Sequence, residues 1–185
     1  RFGEEGVHRE RDQRVERLAT WAHFAAATPE WAPFDLAAMV RAVSRATIEG
    51  GGETTARIDW RISGPEPCQV DGDTLWLQQV LQELLSNAIK AVASADRPMI
   101  AIVFDSTTLE THVTVHDNGV GLPPSGDRGL FEFFGRAHPA RVFAGSGMGL
   151  KICERIVHAH GGRIRLGPRP KASGDGVSPE GSEVR

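Results

Sequence analysis

Glu83, Asn87 and Lys90 stand at i, i+4 and i+7 in the run Leu81-Gln82-Glu83-Leu84-Leu85-Ser86-Asn87-Ala88-Ile89-Lys90. On a helix these three positions share one stripe. An acid, an amide oxygen and an ammonium so placed offer a hydrogen-bond acceptor, a hard oxygen ligand for Mg²⁺ and a cation for phosphate. The same spacing also suits a solvated helix face with a Glu/Lys pair. A second run, Val115-His116-Asp117-Asn118-Gly119-Val120-Gly121, puts an acid at a strand end ahead of alternating glycines. A carboxylate there can accept from an exocyclic amine, and Gly119 and Gly121 let the main chain approach a flat ring with no Cβ between. An ordinary Asp-Asn-Gly turn has the same letters. In the third run, Gly145-Ser146-Gly147-Met148-Gly149-Leu150-Lys151, three alternating glycines lead into a helix. Unpaired N–H groups and the positive end of a helix dipole suit a polyphosphate. The spacing is GxGxG, so it matches neither the dinucleotide fingerprint nor a P-loop.

These runs need elements to hold them. Asp73 is a suitable N-cap for the longest helix, Thr74 to Ser94, with Leu77, Val80/Leu81, Leu84 and Ala88 as its buried stripe. Met99 to Phe104 and Thr111 to Val115 read as a hairpin, and Ala56 to Ser63 as a half-buried strand with Ile58, Trp60 and Ile62 on one face. A short strand is expected at Cys68 to Val70, and another at Arg163 to Leu166. Gly147 to His160 is helical, with Leu150, Cys153 and Ile156/Val157 inward and Gly161-Gly162 as its stop. A helix led by Leu36, Met39, Val40 and Val43 ends in Gly50-Gly51-Gly52, which reads as a stop and turn. Between Val120 and Ser146 lies a Gly/Pro-rich stretch of about 25 residues, far beyond ordinary connections. Near the amino end, ten charges fall between Arg1 and Leu18, and Val15, Leu18, Ala22 and Ala25/Ala26 form the apolar stripe of an amphipathic helix that breaks at Thr28-Pro29. That stripe fits a partner helix or the helix's own domain equally. The whole is an α+β fold, a two-layer sandwich of helices on a mixed, mostly antiparallel sheet, preceded by an N-terminal helix.

Taken together and in this order, the three runs resemble the ATP-binding catalytic domain of sensor histidine kinases, within the wider family of gyrase, Hsp90 and MutL ATPases, whose Bergerat-type fold agrees with that layering. The resemblance implies that Glu83 to Lys90 is the N box, with Asn87 the Mg²⁺ ligand, Glu83 the polar group one turn before it and Lys90 a phosphate contact. It implies that Asp117 binds the adenine amine, with Gly119 and Gly121 shaping the pocket. Leu130-Phe131-Glu132-Phe133-Phe134 resembles the phenylalanine box of the lid, which brings Phe131 to the nucleotide, and Gly145, Gly147 and Gly149, with Ser146, Met148 and Leu150, match the phosphate-facing glycine box. The lid run Phe134 to Arg141 and the last helix are similar to phytochrome-type histidine kinases. Arg136 of that lid, and less directly Arg141, would reach the γ-phosphate. The chain departs from the family after Lys90, where an aromatic or polar residue is usual and Ala91-Val92 stands.

The resemblance covers residues 34–185 as an ATP-binding kinase domain with its last strand cut short, and assigns residues 1–28 to the carboxyl end of a dimerisation helical hairpin. None of the seven histidines fits the family's phosphoacceptor box, so that histidine is expected on a helix outside this chain. The implied activity is transfer of the ATP γ-phosphate to that histidine and onward to an aspartate of a response-regulator receiver domain. ATP and Mg²⁺ are the implied substrate and cofactor, and the dimerisation domain of the same protein, as a homodimer, is the implied partner. The alternatives are a nucleotide-binding scaffold without catalysis and a gyrase- or MutL-like ATPase.

Composition agrees. Lys+Arg 21 against Asp+Glu 24 leaves a net charge of −3, with no basic excess to hold a nucleic acid. No apolar run approaches the about 18 residues of a membrane span, and Cys68 and Cys153 have no CxxC partners, so a cytoplasmic location is expected.

Overall fold

The computed structural model describes residues 2–121, 130–133, 146–168 and 182–184. Helix α1 (Phe2–Ala26) is followed by strand β1 (Ala32–Asp35), α2 (Leu36–Gly50), the short α3 (Gly52–Ala56), β2 (Asp59–Ser63), β3 (Gln69–Gly72), α4 (Thr74–Ala91), β4 (Met99–Ser106), β5 (Thr111–Asp117), α5 (Gly149–Ala159), β6 (Leu166–Pro168) and β7 (Ser182–Val184). The larger sheet has the order β2-β4-β5-β7-β6, and only the β2–β4 pair is parallel. The helices lie on it as a second layer, which is the α+β arrangement expected. Among the described residues, no helix is long and apolar enough to cross a membrane.

One core joins the layers. Val40 and Val43 of α2, Leu81, Leu84, Leu85 and Ala88 of α4, and Ile152, Cys153 and Ile156 of α5 pack with Ile100, Ile102 and Phe104 of β4 and Val115 of β5. Leu85, Ile100, Ile102, Ile152 and Ile156 are wholly withdrawn from water. Each such side chain contributes about 1.5–3 kcal/mol by burial. Asp73 caps α4 by accepting the Trp76 N–H at 3.1 Å, as its side chain and position require. Asp35 does the same for α2, accepting from Ala37 at 3.0 Å, and also takes the Cys68 N–H at 3.1 Å, which ties the helix start to the β2–β3 connection.

Several expectations shift. The triple glycine ends α2 but also starts α3, because the buried Thr55 donates its hydroxyl back to Ile48 and closes the turn on itself. Strand β1 went unforeseen: four residues containing Pro33 give no alternation to read, and their order comes from antiparallel pairing with β3. α4 stops at Ala91 rather than Ser94, where the Ala91 carbonyl accepts the N–H of Val120. The strand expected at Arg163 to Leu166 begins at Leu166. Ser182–Val184, in the last strand expected to be cut short, lies between β5 and β6 and pairs with both.

α1 meets the domain with the face opposite its apolar stripe. Val15, Leu18 and Ala22 are exposed, whereas Arg17 and Trp21 are half-buried and Phe24 is buried. Starting the i, i+4, i+7 series at 17 instead of 15 turns the packed face by about 200°. Phe24 sets its ring edge-on to Trp76 of α4, with centroids 4.9 Å apart, and the Arg155 guanidinium donates to the Ala25 carbonyl at 3.2 Å.

Candidate functional site

The stripe on α4 is real. Glu83, Asn87 and Lys90 are all half-buried, and Glu83 and Asn87 lie on the side of the helix that meets α5. A Cβ placed on Gly149 would lie 2.7 Å from Glu83 Oε2 and 3.7 Å from Asn87 Nδ2, so the acid and amide of the stripe border the first turn of α5. That turn has no side-chain cap, which leaves its N–H groups to whatever anion approaches. Gly147 takes φ +71°, the left-handed region open to glycine, and so redirects the chain into the helix. Ser146 Oγ accepts the Met148 N–H at 3.3 Å. The Met148 side chain is buried in the core rather than offered to a ligand, and Leu150 packs against that core. The glycine-box contribution of these two residues is therefore confined to their main chain.

The other end of α4 meets the turn after β5. Asp117 is 2% exposed and accepts the Gly119 N–H at 2.9 Å. Gly119 is pressed against the α4 main chain, and a Cβ there would stand 2.3 Å from both the carbonyl carbon and oxygen of Ala91. The sequence reading attributed the glycine to the approach of a flat ring. Its structural reason is close contact with Ala91. Gly121 is glycine for a conformational reason, with φ +68°. Asn118, read as part of a turn, is a staple: Oδ1 accepts from Met99 N and Nδ2 donates to Arg97 O, each at 2.8 Å. It locks the end of β5, and hence Asp117, to the start of β4.

The electrostatics are mixed. Burial pushes the Lys90 ammonium below the ordinary lysine range and Arg17 pushes the same way, while Glu83 opposes them. Glu83 is engaged on both oxygens: Gln79 Nε2 donates to Oε1 at 2.8 Å and Arg17 Nη2 lies 2.5 Å from Oε2. Among the described residues no group of three His, Cys, Asp or Glu side chains could hold a metal ion by itself. A lone Asn87 oxygen suits Mg²⁺, which keeps to one or two protein ligands when substrate phosphates supply the rest.

Of the phenylalanine box, Leu130 is buried and Phe131 half-buried, while Phe133 sets its ring edge-on to Trp21 of α1 at 4.9 Å, with Lys151 Nζ 5.6 Å from its centroid. Arg136, Arg141 and Gly145 lie outside the described residues. α4 thus brings two of the three runs together, one beside Glu83 and Asn87 and one at its carboxyl end, and contributes the third itself. Sequence reasoning missed Arg17, which sits within a run of charges that reads as surface, Trp21, which lies off the apolar stripe just after that run, and Asn118, whose partners are set by strand pairing.

A family model described as histidine kinase-, DNA gyrase B- and HSP90-like ATPase matches residues 72–185. The chain is similar to cyanobacterial phytochrome A of Nostoc sp., 39% identical over 100 residues, or 54% of this chain and 13% of that one. It is also similar to the signal transduction histidine-protein kinase/phosphatase MprB of Mycobacterium leprae, 35% identical over 117 residues, or 63% of this chain and 21% of the other. The catalytic domain of histidine kinase ThkA superposes with a TM-score of 0.68 at 25% identity, over 84% of this chain and 94% of that chain. The chain therefore spans about a fifth or less of the curated relatives named.

Proposed function

The chain belongs to the histidine kinase-, DNA gyrase B- and HSP90-like ATPase family, and from that premise we propose that it is the ATP-binding catalytic domain of a two-component sensor protein-histidine kinase. The observation that carries this reading is the double junction of α4: Glu83 and Asn87 border Gly149 at the α5 N-terminus, and Ala91 receives Gly119 beside the buried Asp117. Adenine is assigned to Asp117, whose carboxylate would accept from the exocyclic amine. The polyphosphate is assigned to the first turn of α5 and to Lys90. Asn87 would hold Mg²⁺, which when bound neutralises charge on the β- and γ-phosphates.

In the reaction so assigned, an imidazole nitrogen of the acceptor histidine bonds to the γ-phosphorus as the bond to the β–γ bridging oxygen breaks, and ADP leaves with that electron pair. Glu83 orients the imidazole and takes its proton. Positioning and charge stabilisation supply most of the catalysis, since the imidazole is already a competent nucleophile. Arg136 is assigned to the γ-phosphate from the lid. Residues 1–28 are assigned to the dimerisation hairpin, which the exposed Val15, Leu18 and Ala22 stripe supports as a face for a second helix. The phosphoryl group would then pass to a receiver-domain aspartate, in the cytoplasm.

The test is incubation with γ-labelled Mg·ATP and a histidine-bearing dimerisation hairpin. Acid-labile, base-stable label on the hairpin is the expected product. Release of inorganic phosphate with no labelled hairpin would assign the chain to the ATPases instead.

A further inference from the structure

Arg17 lies on α1, outside the segment that the family model matches, yet its guanidinium reaches the middle of the candidate site. It stands 2.5 Å from Glu83 Oε2, while Gln79 of α4 holds Oε1 at 2.8 Å. Each carboxylate oxygen thus has its own donor, from two different helices, and the two together fix both the place and the plane of the group. The pair is enclosed, with side-chain exposures of 25% and 13%, so solvent and salt weaken it less than a surface pair. The oxygen that Arg17 holds is the one facing the Gly149 position at the mouth of α5.

The register of Arg17 is not accidental to this contact. One turn along α1, Trp21 meets Phe133, and Phe24 then meets Trp76. The main chain just after Phe24 receives Arg155 at Ala25. These contacts place residue 17 above Glu83, its acidic partner among the described residues. A base in such a constellation is commonly held by a third group that does not itself react.

We propose that Arg17 is a positioning residue for phosphoryl transfer, holding Glu83 where the carboxylate can take the imidazole proton, so that packing of α1 on the domain is part of the catalytic apparatus. This rests on the kinase reading of Glu83. Arg17 Nη2 lies 3.7 Å from a Cβ placed on Gly149, beside the turn assigned to the polyphosphate, so its loss should act more strongly on turnover than on nucleotide affinity. A lysine keeps the charge but not the planar fork.

The experiment measures Mg·ATP affinity and hairpin phosphorylation side by side for the wild type, Arg17→Gln, Arg17→Lys, Glu83→Gln and the double variant Arg17→Gln/Glu83→Gln. Arg17→Gln is expected to lower turnover about 10- to 100-fold, as loss of such supporting partners commonly does, with a much smaller fold-loss of ATP affinity. Arg17→Lys should recover a large part of that rate. In the Glu83→Gln background the Arg17 change should add nothing, because the group it positions is no longer a base. Equal losses in both backgrounds, a higher rate in Arg17→Gln, or no recovery in Arg17→Lys would each overturn the assignment. A wild type that binds no Mg·ATP would overturn the kinase reading, and this inference with it.

Discussion

Gly119 packs directly on the carbonyl of Ala91: a Cβ there would come within 2.3 Å of backbone atoms, while the N–H of the next residue, Val120, donates to that same carbonyl at 3.1 Å. The end of α4 and the turn that follows Asp117 are therefore one unit. Gly119→Ala must push main chain against main chain, with a cost of about 1–3 kcal/mol typical of overpacking. Thermal unfolding should show a clearly lowered midpoint. Gly149→Ala meets the end of the Glu83 side chain at 2.7 Å and otherwise only side-chain atoms at 3.7 Å, so it should lower the melting temperature less than Gly119→Ala while losing phosphotransfer. The reverse ranking of the two variants would refute this division of roles.

Lys90 carries a charge that burial disfavours, with Arg17 adding to the effect and Glu83 offsetting part of it. A lysine whose folded pKa is depressed costs stability wherever it is charged in both states, and the cost fades as pH rises through the depressed value. Lys90→Met should therefore raise the melting temperature at neutral pH and raise it less in alkali. The same substitution should weaken ATP binding. Affinity of the wild type should fall on the alkaline side at a pH below that of an ordinary lysine. A Lys90→Met protein that melts lower at neutral pH would show that the ammonium is a structural asset after all.

His160 ties the end of α5 to the cap of α4. Its Nε2 accepts the Asp73 N–H at 3.0 Å, which leaves the ring proton on Nδ1, 2.9 Å from the Ile156 carbonyl. The rings of Trp31 and Trp76 lie alongside. His160→Ala strands a part-buried N–H and should cost about 1–3 kcal/mol, read as a denaturation midpoint shifted without a change in slope. Nucleotide affinity per folded molecule should not change, since His160 lies at the far end of α5 from Gly149. An unchanged midpoint would mean that this bond is replaced by water at no cost.

α4 was legible in the sequence because Asp73 supplies a cap and the Val80, Leu81, Leu84 and Ala88 series supplies a period, both of which are local facts. Its last turn was not, because what ends the helix is the N–H of Val120, 29 residues beyond Ala91 in the chain. Asp117 and the glycines after it were legible as a motif, but the reason for Gly119 lies in Ala91, and only the packed structure brings those two together. The face of α1 was read from its apolar residues as Val15, Leu18 and Ala22, whereas the domain is met by a guanidinium and two aromatics. Long side chains such as Arg17 bury a stem and a charge at once, and a hydrophobic pattern does not register them.

The assignment of an adenine nucleotide to Asp117 and its neighbours rests on one carboxylate. Calorimetry of Mg·ATP binding to the wild type and to Asp117→Ala tests it most directly. Loss of a buried carboxylate that pairs an amine costs about 1–3 kcal/mol, so affinity should fall roughly 5- to 150-fold, with the variant still folded by circular dichroism. Equal affinity in the two proteins would contradict the account and place the nucleotide elsewhere.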